Sequence, residues 1–148
     1  MKKIKTHLLL KIASAITFLY CAGHLSGFPW TPGLGENELS VIEGMKSQQF
    51  DADGAIRTYW EFYIGFGLII GAFLLLQTVL LLQLSIIAKS TVLKVKWIIV
   101  SFIASFAINT FLSWKFFFSI PVILATIITL SLCLSFLTIR RSIAPDSN

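Results

Sequence analysis

Residues 59–87 read YWEFYIGFGLIIGAFLLLQTVLLLQLSII, and after Glu61 no charged residue occurs before Lys89. A helix needs about 20 apolar residues to cross the hydrocarbon core of a bilayer, and this stretch is longer than that. Backbone groups in lipid must satisfy their own hydrogen bonds, which favours a helix over an open strand. The stretch is therefore predicted to be a transmembrane helix.

Three further stretches have the same character, and the whole composition agrees with them. The chain of 148 residues is 56% hydrophobic and 13% charged, with a mean hydropathy of +0.84. A soluble fold of this size would need more polar surface. We expect an all-α, four-helix transmembrane bundle forming a single integral membrane domain over residues 1–148, with helices at about 8–24, 59–87, 97–113 and 120–139.

The charges indicate an orientation in the membrane. The net charge is +5, with twelve Lys and Arg side chains. Positively charged loops tend to stay in the cytoplasm, so both termini are predicted to be cytoplasmic. Three basic residues then lie outside (Lys46, Arg57 and Lys115), against nine inside. Because the charges alternate with apolar runs, they report topology and argue against a nucleic-acid partner. The N-terminal stretch could instead be a signal peptide, but Lys11 interrupts it, and a retained helix is favoured.

The loop at about 25–58 is the only sizeable exterior segment. It opens with prolines and glycines at residues 27–33, which exclude a regular element there. Asn37 can then cap a short helix extending through about Gln49. This helix is predicted to lie on the membrane interface; a lid over a pocket is the alternative.

Small and polar residues recur at helical spacing inside the spans. Such residues let helices approach closely in lipid, so these stripes are predicted to be the seams between helices. They are Ala13, Thr17, Cys21 and His24 in the first span, Gly67 and Gly71 in the second, and Ser101, Ser105, Asn109 and Ser113 in the third.

Ionisable and aromatic residues are expected to meet at the outer ends of the spans. Ionisable groups at membrane depth are costly and commonly mark function, which makes His24 and Glu61 the candidate catalytic residues. An ion pair of Glu61 with Arg57, four residues earlier, is the structural alternative. The excess of aromatic residues there predicts either an interfacial belt or the rim of a pocket. The candidate ligand-binding set is His24, Arg57, Tyr59, Trp60, Glu61, Tyr63, Asn109, Trp114 and Lys115.

Motifs for several known membrane activities are absent. The sequence has no phosphate loop, serine-hydrolase elbow, HExxH or Cys-x-x-Cys. His7 and His24 are predicted to lie on opposite sides of the membrane and so cannot share a metal. No cofactor and no metal are expected.

The segments Gly23-His24-x-x-Gly27-Phe28-Pro29 and Tyr59-Trp60-x-Phe62-Tyr63, with Leu112 to Phe118 before Pro121, resemble a family of small bacterial four-helix integral membrane proteins. A looser similarity to DoxX-like proteins concerns architecture alone. The resemblance implies the fold and a bacterial cytoplasmic (inner) membrane, and it implies no activity, because function does not follow from fold.

Three functions remain open. The favoured one is a binding or accessory protein whose outer-face pocket holds a lipophilic small molecule, or whose surface docks a membrane protein partner or a second copy in a homo-oligomer. A membrane enzyme, an isomerase or lipid-modifying enzyme, would use His24 and Glu61 as an acid–base pair. A proton-coupled transporter would use the serine stripe and Gln77.

Overall fold

The computed structural model describes residues 5–27 and 35–143, with side chains through residue 139. The prolines and glycines at 28–33, together with Lys2, Lys3 and the side chains of Arg140 and Arg141, lie outside the described residues. In chain order the elements are α1 (Thr6–Gly27), α2 (Glu36–Ser47), β1 (Gln49–Ala52), β2 (Ala55–Thr58), α3 (Tyr59–Ile87), a 3-10 helix (Val92–Val95), α4 (Lys96–Phe116) and α5 (Ser119–Ile143).

Four helices are long and apolar enough to cross a membrane, which confirms the predicted all-α class with four spans. The chain is a multi-pass membrane protein. The candidate spans are Thr6–Gly27, Tyr59–Ile87, Val92–Phe116 and Ser119–Ile139. Helices α1, α4 and α5 extend one to four residues beyond the predicted ends, because polar residues near a span terminus can continue the helical turn in the interfacial region.

The chain forms two compact units. Unit 1 consists of residues 1–20 and 74–148, and unit 2 of residues 21–73. The core of unit 1 comes from all four spanning helices, and its largest fully buried side chains include Leu10, Leu81, Ile99, Phe106 and Leu132. Packing in lipid rests on close contact and hydrogen bonds rather than on the exclusion of water.

Two hydrogen bonds join neighbouring helices of unit 1. The hydroxyl of Ser14 in α1 donates to the Thr78 carbonyl of α3 at 2.8 Å. The hydroxyls of Thr6 in α1 and Thr138 in α5 lie 2.6 Å apart. These bonds position the first half of α1 against both α3 and α5.

The serine stripe of α4 is a seam only at one end. Ser113 is buried and Asn109 half-buried, but Ser101 and Ser105 are exposed, which corrects the prediction. The buried face instead follows Ile99, Phe106 and Ser113. Because an α-helix turns about 100° per residue, a spacing of four drifts by about 40° at each step, whereas a spacing of seven almost closes two turns.

Unit 2 contains a β-hairpin that the sequence analysis did not predict. Strands β1 and β2 pair antiparallel, with Phe50 opposite Arg57. The two-residue turn holds Asp53 at φ 55° and Gly54 at φ 85°, and Asp51 accepts the Gly54 N–H at 2.6 Å. An Asp-Gly pair with both φ values positive matches the right-handed twist of a hairpin.

Helix α2 of unit 2 confirms the predicted short helix, with a different start. It begins at Glu36 after Gly35, so Asn37 lies within its first turn instead of capping it. Glu36 and Glu38 lie in this first turn, where their negative charges interact favourably with the positive end of the helix dipole. The helix has no buried residue, so little of its surface is covered by unit 2.

Candidate functional site

The predicted site residues divide between the two units, and each group is described by itself. Unit 2 contains His24, Arg57, Tyr59, Trp60, Glu61 and Tyr63, and unit 1 contains Asn109, Trp114 and Lys115.

His24 joins two helices of unit 2. Its Nε2 lies 2.8 Å from the carbonyl oxygen of Gly67 in α3. Because a carbonyl only accepts, Nε2 carries the proton in this bond. One turn earlier, the Cys21 thiol contacts the Gly71 carbonyl at 3.4 Å. The bonds from α1 thus reach the α3 backbone at the two glycines, where the absence of side chains permits close approach.

Gly71 is also a point of tight side-chain packing. A Cβ added to it would lie 2.5 Å from Cδ2 of Leu25, well inside the usual carbon–carbon contact distance. His24, Cys21 and Leu25 therefore form one side of a helix seam, as predicted for the first-span stripe and the Gly67–Gly71 pair. We name these five residues the glycine seam.

Glu61 caps its own helix, a role that neither sequence interpretation included. Its Oε2 accepts the backbone N–H of Thr58 at 2.7 Å, while the Thr58 hydroxyl accepts the Glu61 N–H at 3.1 Å. These reciprocal bonds are a capping box, with Thr58 before the helix and Glu61 in its first turn. Arg57 meanwhile donates to the Ile56 carbonyl at 3.0 Å.

Aromatic rings connect the hairpin to the start of α3. Phe50 packs against Tyr59 and Phe62, with centroids 4.8 and 5.0 Å apart. Trp60 packs against Tyr63 at 5.6 Å, and the Lys46 ammonium lies 5.0 Å from the Trp60 ring. Tyr59 and Tyr63 remain about half exposed, at 55% and 47%. These ring contacts anchor the hairpin to α3, while the two tyrosine side chains remain partly exposed.

Asn109 is the centre of a polar trio in unit 1. Its side-chain Oδ1 accepts the Ser113 hydroxyl at 3.1 Å and the Tyr20 hydroxyl of α1 at 3.4 Å. Within the part of the chain that the structure describes, its Nδ2 has no acceptor. Asn109 is half-buried and lies in a spanning helix. The two amide N–H donors of Asn109 therefore lie on the other side of the amide from the oxygen that the two hydroxyls contact.

Trp114 and Lys115 end the same helix without joining this trio. Trp114 is 69% exposed and packs against Phe111 at 6.1 Å. The Lys115 ammonium lies 5.2 Å from the Phe116 ring. An exposed indole beside a lysine is typical of a helix end at a membrane interface.

The described residues offer no metal site, since no three His, Cys, Asp or Glu side chains come together among them. The chain matches no family model, no curated protein and no solved structure.

Three residues organise these groups in roles that the sequence did not predict. Tyr20 and Ser113 orient Asn109, and Thr58 pairs with Glu61. A signal existed for Thr58, because Thr-x-x-Glu before an apolar run is a capping-box pattern. No spacing within one helix could have paired Tyr20 with Asn109, since they belong to different helices.

Proposed function

We propose that this chain is a binding or accessory protein of a bacterial cytoplasmic membrane, with both termini in the cytoplasm. Its ligand is a lipophile with a carbonyl oxygen, such as a quinone or a lipid ester. The single observation that carries the proposal is the Asn109 amide, whose oxygen is engaged by two hydroxyls while its N–H groups have no acceptor among the described residues.

The energetics of lipid explain why this amide is informative. A polar group in hydrocarbon without a hydrogen-bond partner costs several kcal/mol by transfer scales. The Tyr20 and Ser113 hydroxyls fix the amide so that its donors face away from them. An acceptor supplied by a ligand would remove the penalty, and a carbonyl is the acceptor common among membrane lipophiles.

The location suits a ligand that enters from the bilayer. Asn109 is seven residues from the end of α4 at Phe116, which corresponds to about 10 Å of helix. In the proposed orientation this is the outer leaflet, near the boundary between hydrocarbon and headgroups. The exposed Phe111 and Trp114 lie on the same helix between Asn109 and its end and offer apolar surface to a ring or chain.

The enzyme alternative has less support. His24 is bonded to the Gly67 carbonyl and Glu61 to Thr58, so both candidate acid–base groups have structural tasks. The transporter alternative is weakened by the outward position of Ser101 and Ser105, which interrupts the polar path that it requires.

The test compares two probes that differ only in the acceptor. Purified protein in nanodiscs would be loaded with a short-chain alkylated benzoquinone or with the matched alkylbenzene, and bound probe would be counted by native mass spectrometry. The wild type is expected to retain the quinone in preference, and Asn109→Leu to lose that preference. Thr110→Val is the matched control, because the Thr110 hydroxyl donates within its own helix to Phe106 at 2.8 Å.

Retention of both probes to the same extent by the wild type would contradict the proposal. An unchanged preference in Asn109→Leu would contradict the assignment of the site. Tyr20→Phe and Ser113→Ala should give intermediate preferences, because each frees the amide to rotate without removing its donors.

A further inference from the structure

The start of α1, the link between α3 and α4, and the end of α5 lie together in unit 1. Thr6 and Thr138 bring α1 to α5 through their hydroxyls at 2.6 Å. The Lys96 ammonium lies 5.9 Å from the Phe136 ring, which brings the start of α4 to α5 as well. The chain passes from α3 to α4 through a 3-10 helix whose Val95 is only 1% exposed and is part of the core.

Basic residues lie in or next to these segments. We name Lys5, Lys89, Lys94 and Lys96 the basic end of unit 1. Lys5, Lys89 and Lys94 are exposed and Lys96 is half-buried.

Among the described residues of its own unit, the basic end has no carboxylate to neutralise it. Residues 5–20 and 74–143 contain no Asp or Glu, whereas residues 36–61 contain six of the seven acids in the chain. Four or more lysines and arginines next to a membrane span attract anionic headgroups. The orientation rule requires only that these lysines lie on the cytoplasmic side, whereas the bond between Thr6 and Thr138 and the contact of Lys96 with Phe136 bring segments that carry them together.

Aromatic rings hold one of these cations at the membrane interface. The Lys96 ammonium lies 5.2 Å from the Trp97 ring, in addition to its contact with Phe136. Trp97 is 72% exposed, as expected for an indole seated among headgroups. The cation–π contacts restrict the Lys96 side chain, so it loses less conformational entropy when an anion binds.

We propose that the basic end binds the phosphate of an anionic phospholipid, with Lys94 and Lys96 as its principal contacts and Trp97 beside the glycerol region. This site is separate from Asn109, which lies 13 residues further along α4, about 20 Å of helix. The occupant is a lipid because the cations immediately flank spanning helices, where headgroup phosphates are concentrated.

The experiment uses the full chain in nanodiscs of equimolar phosphatidylglycerol and phosphatidylcholine, with the lipids retained by the protein identified by native mass spectrometry. Nanodiscs expose both faces, so a change in membrane orientation cannot alter the result. The wild type is expected to retain phosphatidylglycerol in preference. Each lysine near a membrane surface contributes about a fivefold preference, and Lys89→Gln, Lys94→Gln and Lys96→Gln together should reduce it at least tenfold.

Two control variants separate binding from folding. The same three positions changed to Arg keep the charge and should keep the preference. Lys46→Gln removes one charge from unit 2 and should leave retention as in the wild type.

Three results would overturn the proposal: an unchanged preference in the triple Gln variant, an equal loss in Lys46→Gln, or displacement of the lipid by millimolar inorganic phosphate. The last would identify a site for free phosphate. None of these variants alters Asn109, so a negative result for the phospholipid site would not affect the outcome of the quinone test.

Discussion

Replacement of Gly71 by Ala tests the glycine seam directly. The new Cβ would lie 2.5 Å from Cδ2 and 3.1 Å from Cγ of Leu25, where about 3.5–4.0 Å is normal. Either the Leu25 side chain must leave its rotamer or the two helices must separate. Separation would also lengthen the bonds from His24 to the Gly67 carbonyl and from Cys21 to the Gly71 carbonyl.

A matched glycine isolates the steric cost. A Cβ at Gly65, on the same helix, meets nothing within 4 Å. Both substitutions replace Gly with Ala within one helix and so gain a similar propensity, about 1 kcal/mol at most. Their difference therefore reports overpacking, which typically costs about 1–3 kcal/mol. We expect Gly71→Ala to be less stable than Gly65→Ala by that amount.

The assay is unfolding of the protein in mild-detergent micelles by rising mole fractions of SDS, followed by tryptophan fluorescence. Adding Leu25→Ala to Gly71→Ala should recover about 1–2 kcal/mol, because contacting residues couple by this order. Equal stability of the two alanine variants, or no recovery on truncating Leu25, would show that the seam is not closely packed at Gly71.

Four further substitutions test the local structure, three of them by the same SDS titration and Gly54→Ala by hydrogen exchange. Thr58→Ala should lower the free energy of unfolding by about 1 kcal/mol, because the helix loses its cap. Glu61→Gln should be nearly neutral, because Gln also completes a capping box. A large loss of stability in Glu61→Gln would show that the negative charge of Glu61 is needed. Gly54→Ala should destabilise the hairpin by about 1 kcal/mol or more because of its φ of 85°. Hydrogen exchange at Arg57 measures this, because its pair with Phe50, two residues out from the turn-flanking pair, exchanges backbone hydrogen bonds, and normal protection there would oppose the turn assignment. His24→Ala should cost about 1 kcal/mol through the lost bond to Gly67, and a neutral result would mean that the imidazole bond adds nothing to the seam.

The spans could be predicted because their signal is local and strong. A helix across lipid must satisfy its backbone internally, so apolar length alone identified residues 59–87 to the residue. Burial within the spans was harder to predict. Ser101 and Ser105 matched a four-residue repeat, but the buried face of α4 repeats every seven residues. Only the positions of neighbouring helices decide which face is covered.

The hairpin was missed although its signal was present. Asp53-Gly54 is the preferred pair for a two-residue hairpin turn, and Phe50, Ala52 and Ile56 supply apolar residues around it. A loop with one interfacial helix, as predicted, gives these residues no element. The pairing of Tyr20 with Asn109 could not have been predicted, because residues 89 positions apart meet only when α1 packs against α4.

Polar side chains within the spans differ in whether their own helix can complete their hydrogen bonds. Thr17, Thr110 and Thr129 each donate to the carbonyl four residues earlier at 2.8 Å, which satisfies a hydroxyl within its own helix at little cost. The longer amides of Asn109 and Gln77 cannot be satisfied in the same way, since each carries both donors and an acceptor.

These two amides differ in access. Gln77 Oε1 is buried and has no partner among the described residues, so a ligand from the bilayer does not reach it and only an enclosed water molecule could complete its bonding. Asn109 has the opposite arrangement, because its acceptor is engaged by the chain and its donors lie on a half-exposed side chain. A binding role in lipid requires an unfilled donor or acceptor that a ligand can approach, and of these two amides only Asn109 meets both conditions.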